Sequence, residues 1–308
     1  MLKLDNVQKA LLKELTGVAD FIKGAFNVRA NGASALRQST DSIRIVPKKD
    51  CEGFDIFIAP ETKGERVHIP VVMTKSGMKE TVYNDFHVGE GADITIVAGC
   101  GIHNCGGEDS QHDGVHRFWI GKGAKVKYVE KHVGAGDGNG RRILNPVTEV
   151  HQEETSSLEM EMTQIRGVDD TTRTTTADLA AGARIVVRER LLTGGKERAV
   201  SAYTVSLNGK DASADIVSRG VAQGESFQRL DARIVGNAPC TGHTECDSII
   251  MDKGRIVAVP ALEANDTDAA LVHEAAIGKI AGDQLVKLMT LGLTEQEAEA
   301  EIINGFLK

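Results

Sequence analysis

Aromatic residues and long apolar runs are both scarce in this sequence, and each shortage argues against a class of function. Aromatic side chains make up 4% of the chain and Trp119 is the single tryptophan, which speaks against a polysaccharide-active groove with its stacking platforms for sugar rings. No apolar run approaches the ~20 residues that a membrane-crossing helix needs. Positive charge is in deficit. The 36 Lys and Arg stand against 44 Asp and Glu, a formal charge of -8, whereas a general nucleic-acid binder presents excess Lys and Arg. Nucleotide motifs are missing too. Gly194-Gly195-Lys196-Glu197 lacks the spacing and hydroxyl of a phosphate loop. Gly136-Asp137-Gly138-Asn139-Gly140 carries glycine at every second position, with no strand-to-helix frame around it. Any ATP-driven work must therefore come from a partner. The residues after Met1 are of mixed charge rather than an apolar signal core, which predicts a cytoplasmic protein. The five cysteines are odd in number, and in a reducing compartment they read as free thiols or metal ligands rather than a disulfide framework.

Glycine, by contrast, is abundant at 33 residues, which suggests many tight turns between short strands. Asp5 can cap a helix carrying Val7, Leu11, Leu15 and Val18 on one stripe. From about Asn27 the pattern alternates in short stretches such as Ser42-Ile43-Arg44-Ile45-Val46, Phe54-Asp55-Ile56-Phe57-Ile58 and Val67-His68-Ile69-Pro70-Val71-Val72, which read as strands. The middle repeats itself. Val88-Gly89-Glu90-Gly91-Ala92-Asp93-Ile94 is echoed by Ile120-Gly121-Lys122-Gly123-Ala124-Lys125-Val126, and more weakly by Ala181-Gly182-Ala183-Arg184-Ile185. A glycine corner leading into an alternating strand, at a period of this order, points to a β-solenoid. An antiparallel sandwich whose hairpins share Gly-Ala corners is the alternative. After about Asn265 the pattern reads as helical again. Gly292 has the place of a helix stop, and Thr294-Glu295-Gln296-Glu297 has the form of a capping box opening a helix with Ala298, Ile302 and Phe306 on one side. These helices can cover the open edge of a solenoid, the simpler reading, or offer a docking surface. The organisation expected is a helical segment over residues 1–26, a β core over 27–265 and a helical segment over 266–308.

Two constellations carry donor atoms. Cys100, His103, Cys105, His112 and His116, with His132 on a following strand, combine imidazole and thiol, the ligands of zinc and iron–sulfur centres. Gly106-Gly107-Glu108-Asp109-Ser110 within this stretch reads as a surface loop on which such ligands converge, or as a polar loop whose thiols are incidental. The second constellation is Cys240 and His243, then Cys246 at the start of a strand, then His273 and Glu274 at the junction to the last helices. A lone strand cysteine can equally be a small buried hydrophobe.

The run Glu245-Cys246-Asp247-Ser248, then Ala261-Leu262-Glu263-Ala264-Asn265, then His273-Glu274-Ala275 with Gly278-Lys279-Ile280 and Gln284-Leu285, resembles the SufB/SufD family. Gly292-Leu293-Thr294, Glu297-Ala298 and Asn304-Gly305-Phe306 continue the likeness, which is strong over about residues 200–308. A looser likeness through Lys127-Tyr128-Val129-Glu130 extends back to about residue 80. The resemblance implies a right-handed parallel β-helix flanked by N- and C-terminal α-helices. It implies an iron–sulfur cluster assembly scaffold that carries its cluster transiently, pairs through its β-helix and binds a SufC-type ABC ATPase through its last helices. Leu285, Leu288, Ile302 and Phe306 would then meet that partner, while a sulfur donor and apo iron–sulfur proteins would visit. It places Cys246, His273 and Glu274 at the cluster site, nearer to SufB than to SufD, with a homodimer supplying two sets. The sulfur-accepting cysteine of SufB falls where this chain has His132, so the Cys100, His103 and Cys105 group is the expected substitute for sulfur or iron handling. ATP hydrolysis would belong to the partner, the chain itself being no enzyme. Readings from other classes are a polysaccharide-active β-helix and a zinc-stabilised interaction module built on the central Cys/His stretch.

Overall fold

The computed structural model describes residues 4–17 and 24–308. Alternating apolar and polar residues build strands whose side chains point by turns inward and outward. Along Ser110–Ile120, for example, every second residue from Ser110 is buried. Each strand bonds in parallel to the one a full turn later. Asp93–His103 pairs with Lys125–Ala135, and the series continues through Ser157–Ile165, Arg184–Thr193, Ala212–Ala222 and Cys240–Ile250 to Ala269–Gly278. A second series from Gly53–Ile58 to Arg255–Ala264 forms the facing sheet. The chain is a parallel β-solenoid of about eight turns with helices at both ends.

One corner recurs in coil after coil. Gly91, Gly123 and Gly182 lie at φ 65°, 65° and 64°, the left-handed conformation that glycine adopts without penalty. Glu61, Thr155 and Asp211 take the same place at φ 58°, 57° and 63°. Each of these residues donates its N–H to a carbonyl one coil further on, as Gly91 does to Lys122 at 2.9 Å and Gly182 to Lys210 at 2.8 Å. Just inside the corner stands a small buried residue: Ala92, Ala124, Ser156, Ala183 or Ala212. On the outside of the second sheet Phe57, His87, Trp119 and His151, one per coil, stack at 4.8, 4.9 and 6.0 Å between ring centroids. The two inner rings, His87 and Trp119, are stacked on both faces, so the ladder ties coils together.

Three expectations need correction. The first two pairs of strands are antiparallel hairpins, Ala25–Ala30 with Ala33–Gln38 and Ile43–Pro47 with Gly53–Ile58; one strand of each, Ala25–Ala30 and Gly53–Ile58, then starts the parallel stacking on Lys63–Met73 and Lys79–Val88. The segment after Asn265 does not turn helical at once, because Ala269–Gly278 forms one more strand. And the terminal helices do not cover the open edge. Helix α1 (Asn6–Thr16) is capped by Asp5, which accepts from Gln8 N–H at 2.8 Å, and it buries Leu11 and Leu15 against Ala30, Ala35 and Val72. Val7 stays exposed, and Val18 lies outside the described residues. Helix α2 (Gly282–Thr290) buries none of its residues and ends before Gly292, at φ 99°. Helix α3 (Glu295–Phe306) opens with the expected capping box, Thr294 and Glu297 bonding each other's backbone N–H. It seats Ile303, and Leu307 just after it, against Leu192 and Val221 at the ends of inner strands. The helix therefore lies along the side of the solenoid, and the last two strands remain largely exposed. Among the described residues no helix is long and apolar enough to cross a membrane.

Candidate functional site

The register of the first sheet arranges its inward side chains in columns running along the solenoid. One column reads Ala98, Glu130, Met162, Glu189, Ser218, Cys246 and Ala275. Its neighbours contain Cys100, His132, Gln164 and Ser248 on one side, and Tyr128, Thr244 and His273 on the other. Cys100 and Cys246 thus share one inner face, five strand spacings or about 24 Å apart.

Cys246 sits in the middle of Cys240–Ile250, not at its start. It is 2% exposed, and burial pushes its thiol up, with the charges of Glu189 and Asp247 adding to the effect. Its Sγ lies 3.8 Å from Ser248 Oγ. His273 stands on the next strand outward, where its Nδ1 is 2.7 Å from Thr244 Oγ1. Cys246 and His273 line one closed cleft, too tight for a water molecule, with Leu230, Ala232, Thr244, Glu245, Ala258, Val259 and Pro260, beneath the last coil. The structure thus brings these two together. It does not bring Glu274 to them. Adjacent residues of a strand face opposite sides, so Glu274 is exposed on the outer surface, paired across the ladder with Glu245. There His243 Nε2 is 4.0 Å from a Glu274 oxygen, and His243 Nδ1 is 2.9 Å from Asp215 Oδ1. Burial and the neighbouring Asp247 push the Glu245 carboxyl up, against Arg219 and His243.

The central constellation also divides. Cys100, His112, His116 and His132 point into the solenoid and line one small cavity with Gly114 and Glu130. Cys105 is exposed, its Sγ 3.5 Å from His103 Nδ1, and the loop that carries it is held by Asn104, which donates to the Glu108 and Gly140 carbonyls. His112 and His116 belong to a strand, so no single loop gathers the six residues. Cys100 stands directly beside His132 across the parallel ladder. Burial, with Glu80 and Glu130, pushes the Cys100 thiol well up. Burial also holds His116 at about 4 despite the nearby Glu130. All five cysteines are free thiols, as the sequence predicts.

Between the two thiols runs a chain of buried charge that the sequence reading missed. Glu130 is bonded to Arg173 and accepts from Tyr128 Oη at 3.0 Å, while Tyr128 in turn meets His116 Nδ1 at 2.7 Å. Burial opposes ionisation of Glu130, but Arg173, His132 and His116 hold its carboxyl well below the usual range. Further along, Glu189 accepts from Ser201, Tyr203 and Ser218 at 2.5, 2.9 and 2.8 Å. Ser218 is the residue beside Cys246. The signal for this chain was the alternation itself. In Lys125–Ala135 the phase that buries Val126 must also bury Tyr128, Glu130 and His132.

The fold is thus a parallel solenoid with buried thiols and imidazoles along its bore and a Cys–His cleft under an open end. Residues 72–306 match the family model described as SUF system FeS cluster assembly, SufBD core domain. This chain belongs to that family. An iron–sulfur cluster assembly SufBD family protein of Archaeoglobus fulgidus is 29% identical over 329 residues, covering 99% of this chain and 80% of that protein. One from Methanothermobacter thermautotrophicus is 31% identical over 234 residues, covering 74% of this chain but only 55% of that protein. Another from Methanocaldococcus jannaschii is 28% identical over 243 residues, covering 78% of this chain and 76% of that protein.

Proposed function

We propose that this chain is a cytoplasmic scaffold on which iron–sulfur clusters are assembled, working as a homodimer with a SufC-type ABC ATPase. The observation that carries the reading is the shared cleft of Cys246 and His273 beneath the last coil. Thiolate is the usual ligand of iron–sulfur centres. A site with one thiolate and one imidazole per copy holds its cluster less tightly than four thiolates would, which suits a cluster made to be passed on to apoproteins. Glu274, on the outer face of the same strand, takes no part in this cleft.

A buried thiol must be uncovered before it can bind iron or sulfide. Helix α2 follows within a few residues of the strand that carries His273, so a force on α2 is transmitted to the strand roofing Cys246. Val286, Met289 and Leu291 are exposed on and just after that helix, while Leu285, Leu288, Ile302 and Phe306 are half-buried. These apolar side chains give the ATPase a surface to hold. ATP-driven movement of the partner then raises the population in which the last coil is lifted, without catalysis by the scaffold itself. Cys100, beside His132, supplies a thiol near the place where the family resemblance leads one to look for a sulfur acceptor, so a sulfur donor protein delivers to this end of the bore. Neither alternative class is favoured by a specific feature. The inner rings of the aromatic ladder are stacked on both faces, and the central donors are divided between bore and surface.

Anaerobic reconstitution with iron and sulfide tests the reading. Wild-type protein is expected to turn brown with cluster absorbance, and Cys246→Ser and His273→Ala to lose most of it while keeping the melting temperature. A Cys100→Ala, His103→Ala, Cys105→Ala variant is expected to form fewer clusters while still dimerising. Equal cluster yield in that triple variant would remove the central group from the scheme, and equal yield in Cys246→Ser would remove the reading itself.

A further inference from the structure

The outer face of the last coils carries a second set of donors that the thiol cleft does not use. His243, Glu245 and Glu274 each offer one ligand atom, and these atoms all lie within 4.8 Å of one another. They come from two neighbouring strands, with Glu245 and Glu274 directly opposite in the ladder. Two like charges in that relation destabilise a sheet. The same face adds Asp215 and Asp247 and, on the positive side, Arg219, which stands opposite Asp247. Negative charge is therefore in local excess, and a cation between the two glutamates would relieve it.

The imidazole is already set for a metal. Asp215, on the strand inside, receives His243 Nδ1 at 2.9 Å. An ionised carboxylate can only accept, so in the neutral ring the proton sits on Nδ1 and the Nε2 lone pair faces Glu274, 4.0 Å away. A carboxylate on the far nitrogen is the arrangement that orients metal-binding histidines and raises their basicity. Glu274 is exposed, so rotation of its side chain can bring its carboxylate toward His243 Nε2 and Glu245.

We propose that His243, Glu245 and Glu274, oriented by Asp215, form a divalent-cation site on the outer surface, on the opposite face of the sheet from the Cys246 thiol. One imidazole and two carboxylates suit ferrous iron, manganese or zinc, and the absence of thiolate keeps the ion exchangeable. That the physiological ion is ferrous iron, held ready on the far side of the strand from the thiol, rests on the assembly reading; the site itself does not.

Cobalt(II) titration of the purified full chain under anaerobic conditions is the test, with ferrous iron as competitor. Wild-type protein is expected to bind one ion per chain with a visible spectrum lacking the thiolate-to-cobalt charge-transfer band. His243→Ala and Glu274→Gln should abolish that binding, and Asp215→Asn should weaken it about ten- to a hundredfold. Cys246→Ser should leave it unchanged. The proposal is overturned if wild-type protein binds no ion, if His243→Ala and Glu274→Gln bind as wild type does, or if the spectrum shows thiolate ligation that disappears in Cys246→Ser. Cluster reconstitution reads the other proposal independently. Failure to build a cluster with cobalt binding intact sinks the assembly reading alone, and the reverse pattern sinks only this site.

Discussion

Arg173 is the hinge of the interior electrostatics. Its side chain is 4% exposed and pairs with Glu130, with Glu189 at 3.8 Å. Arg173→Met keeps the volume but strands two buried carboxylates, and losing one partner of a buried pair costs about 3–5 kcal/mol. Urea denaturation should register that loss, and a change under about 1 kcal/mol would mean that the pair is not buried as charges. Histidines set a second dependence, on pH. Burial, helped by Arg66, holds His68 at about 4, and burial holds His116 at about 4 as well. In the unfolded chain both titrate near the ordinary 6.5. As pH falls from about 6.5 to about 4, only the unfolded chain takes up these protons, so stability drops across that window and is unaffected by these groups above it. Each histidine contributes up to ~3 kcal/mol. Denaturation midpoints at about pH 7, 5.5 and 4.5 should fall in order, with the slope in His116→Gln reduced by one proton. The carboxylate of Glu130 acts lower still, because its protonation lies well below 4.5. The closeness of Cys246 and His273 was legible in the sequence through the family motif. The separation of Glu274 was not, because a stretch read as helical hides the in–out parity that puts neighbouring strand residues on opposite faces.

Among elements, the corner shows best what could and could not be read. Where it holds glycine the repeat is visible, and where it holds Glu61, Thr155 or Asp211 the same left-handed turn persists without its marker. The repeat therefore fades in the sequence before it fades in the fold. This separates conformational cost from steric cost. A Cβ on Gly123 would meet only Thr155 Oγ1, at 3.8 Å. Gly123→Ala should therefore cost about 1–2 kcal/mol through its left-handed backbone alone. Thr155→Gly should be neutral or stabilising, since it relieves the same strain one coil away. Parallel melts of the two variants decide the matter, and equal losses in both would show that packing rather than φ governs the corner. The final helices carry a related lesson. The capping box and the stop at Gly292 were plain in the sequence, whereas the partner of the apolar face was not. Ile303 finds Leu192 and Val221, which are more than eighty residues earlier in the chain, and this contact draws α3 along the side of the solenoid instead of over its end.

At the scale of the whole molecule, the consequence is an end left open. Arg255–Ala264 and Ala269–Gly278 each stand last in their sheets, bonded on one side only. Natural proteins blunt such edges with charge or cover, because bare strand edges pair with other chains. Here the two strands instead present Val259, Leu262, Val272 and Ile277, exposed at 40%, 39%, 51% and 43%. A two-fold axis through this end would set each edge against its own copy, the self-complementary contact of a cyclic dimer. The mass in solution, measured by light scattering, should then be twice 32.9 kDa. Lysine at Leu262 and Val272 should give monomers whose α1 and inner coils melt as before. Because the roof over Cys246 is the same pair of strands, those monomers should also open there more often. Alkylation of Cys246 should accelerate in them, read against a Cys51→Ser, Cys105→Ser background that removes the two exposed thiols. If each cluster needs a Cys246 and a His273 from both copies, cluster yield per chain falls with dimerisation. Monomers that assemble clusters at the wild-type yield would show that one open end is sufficient by itself.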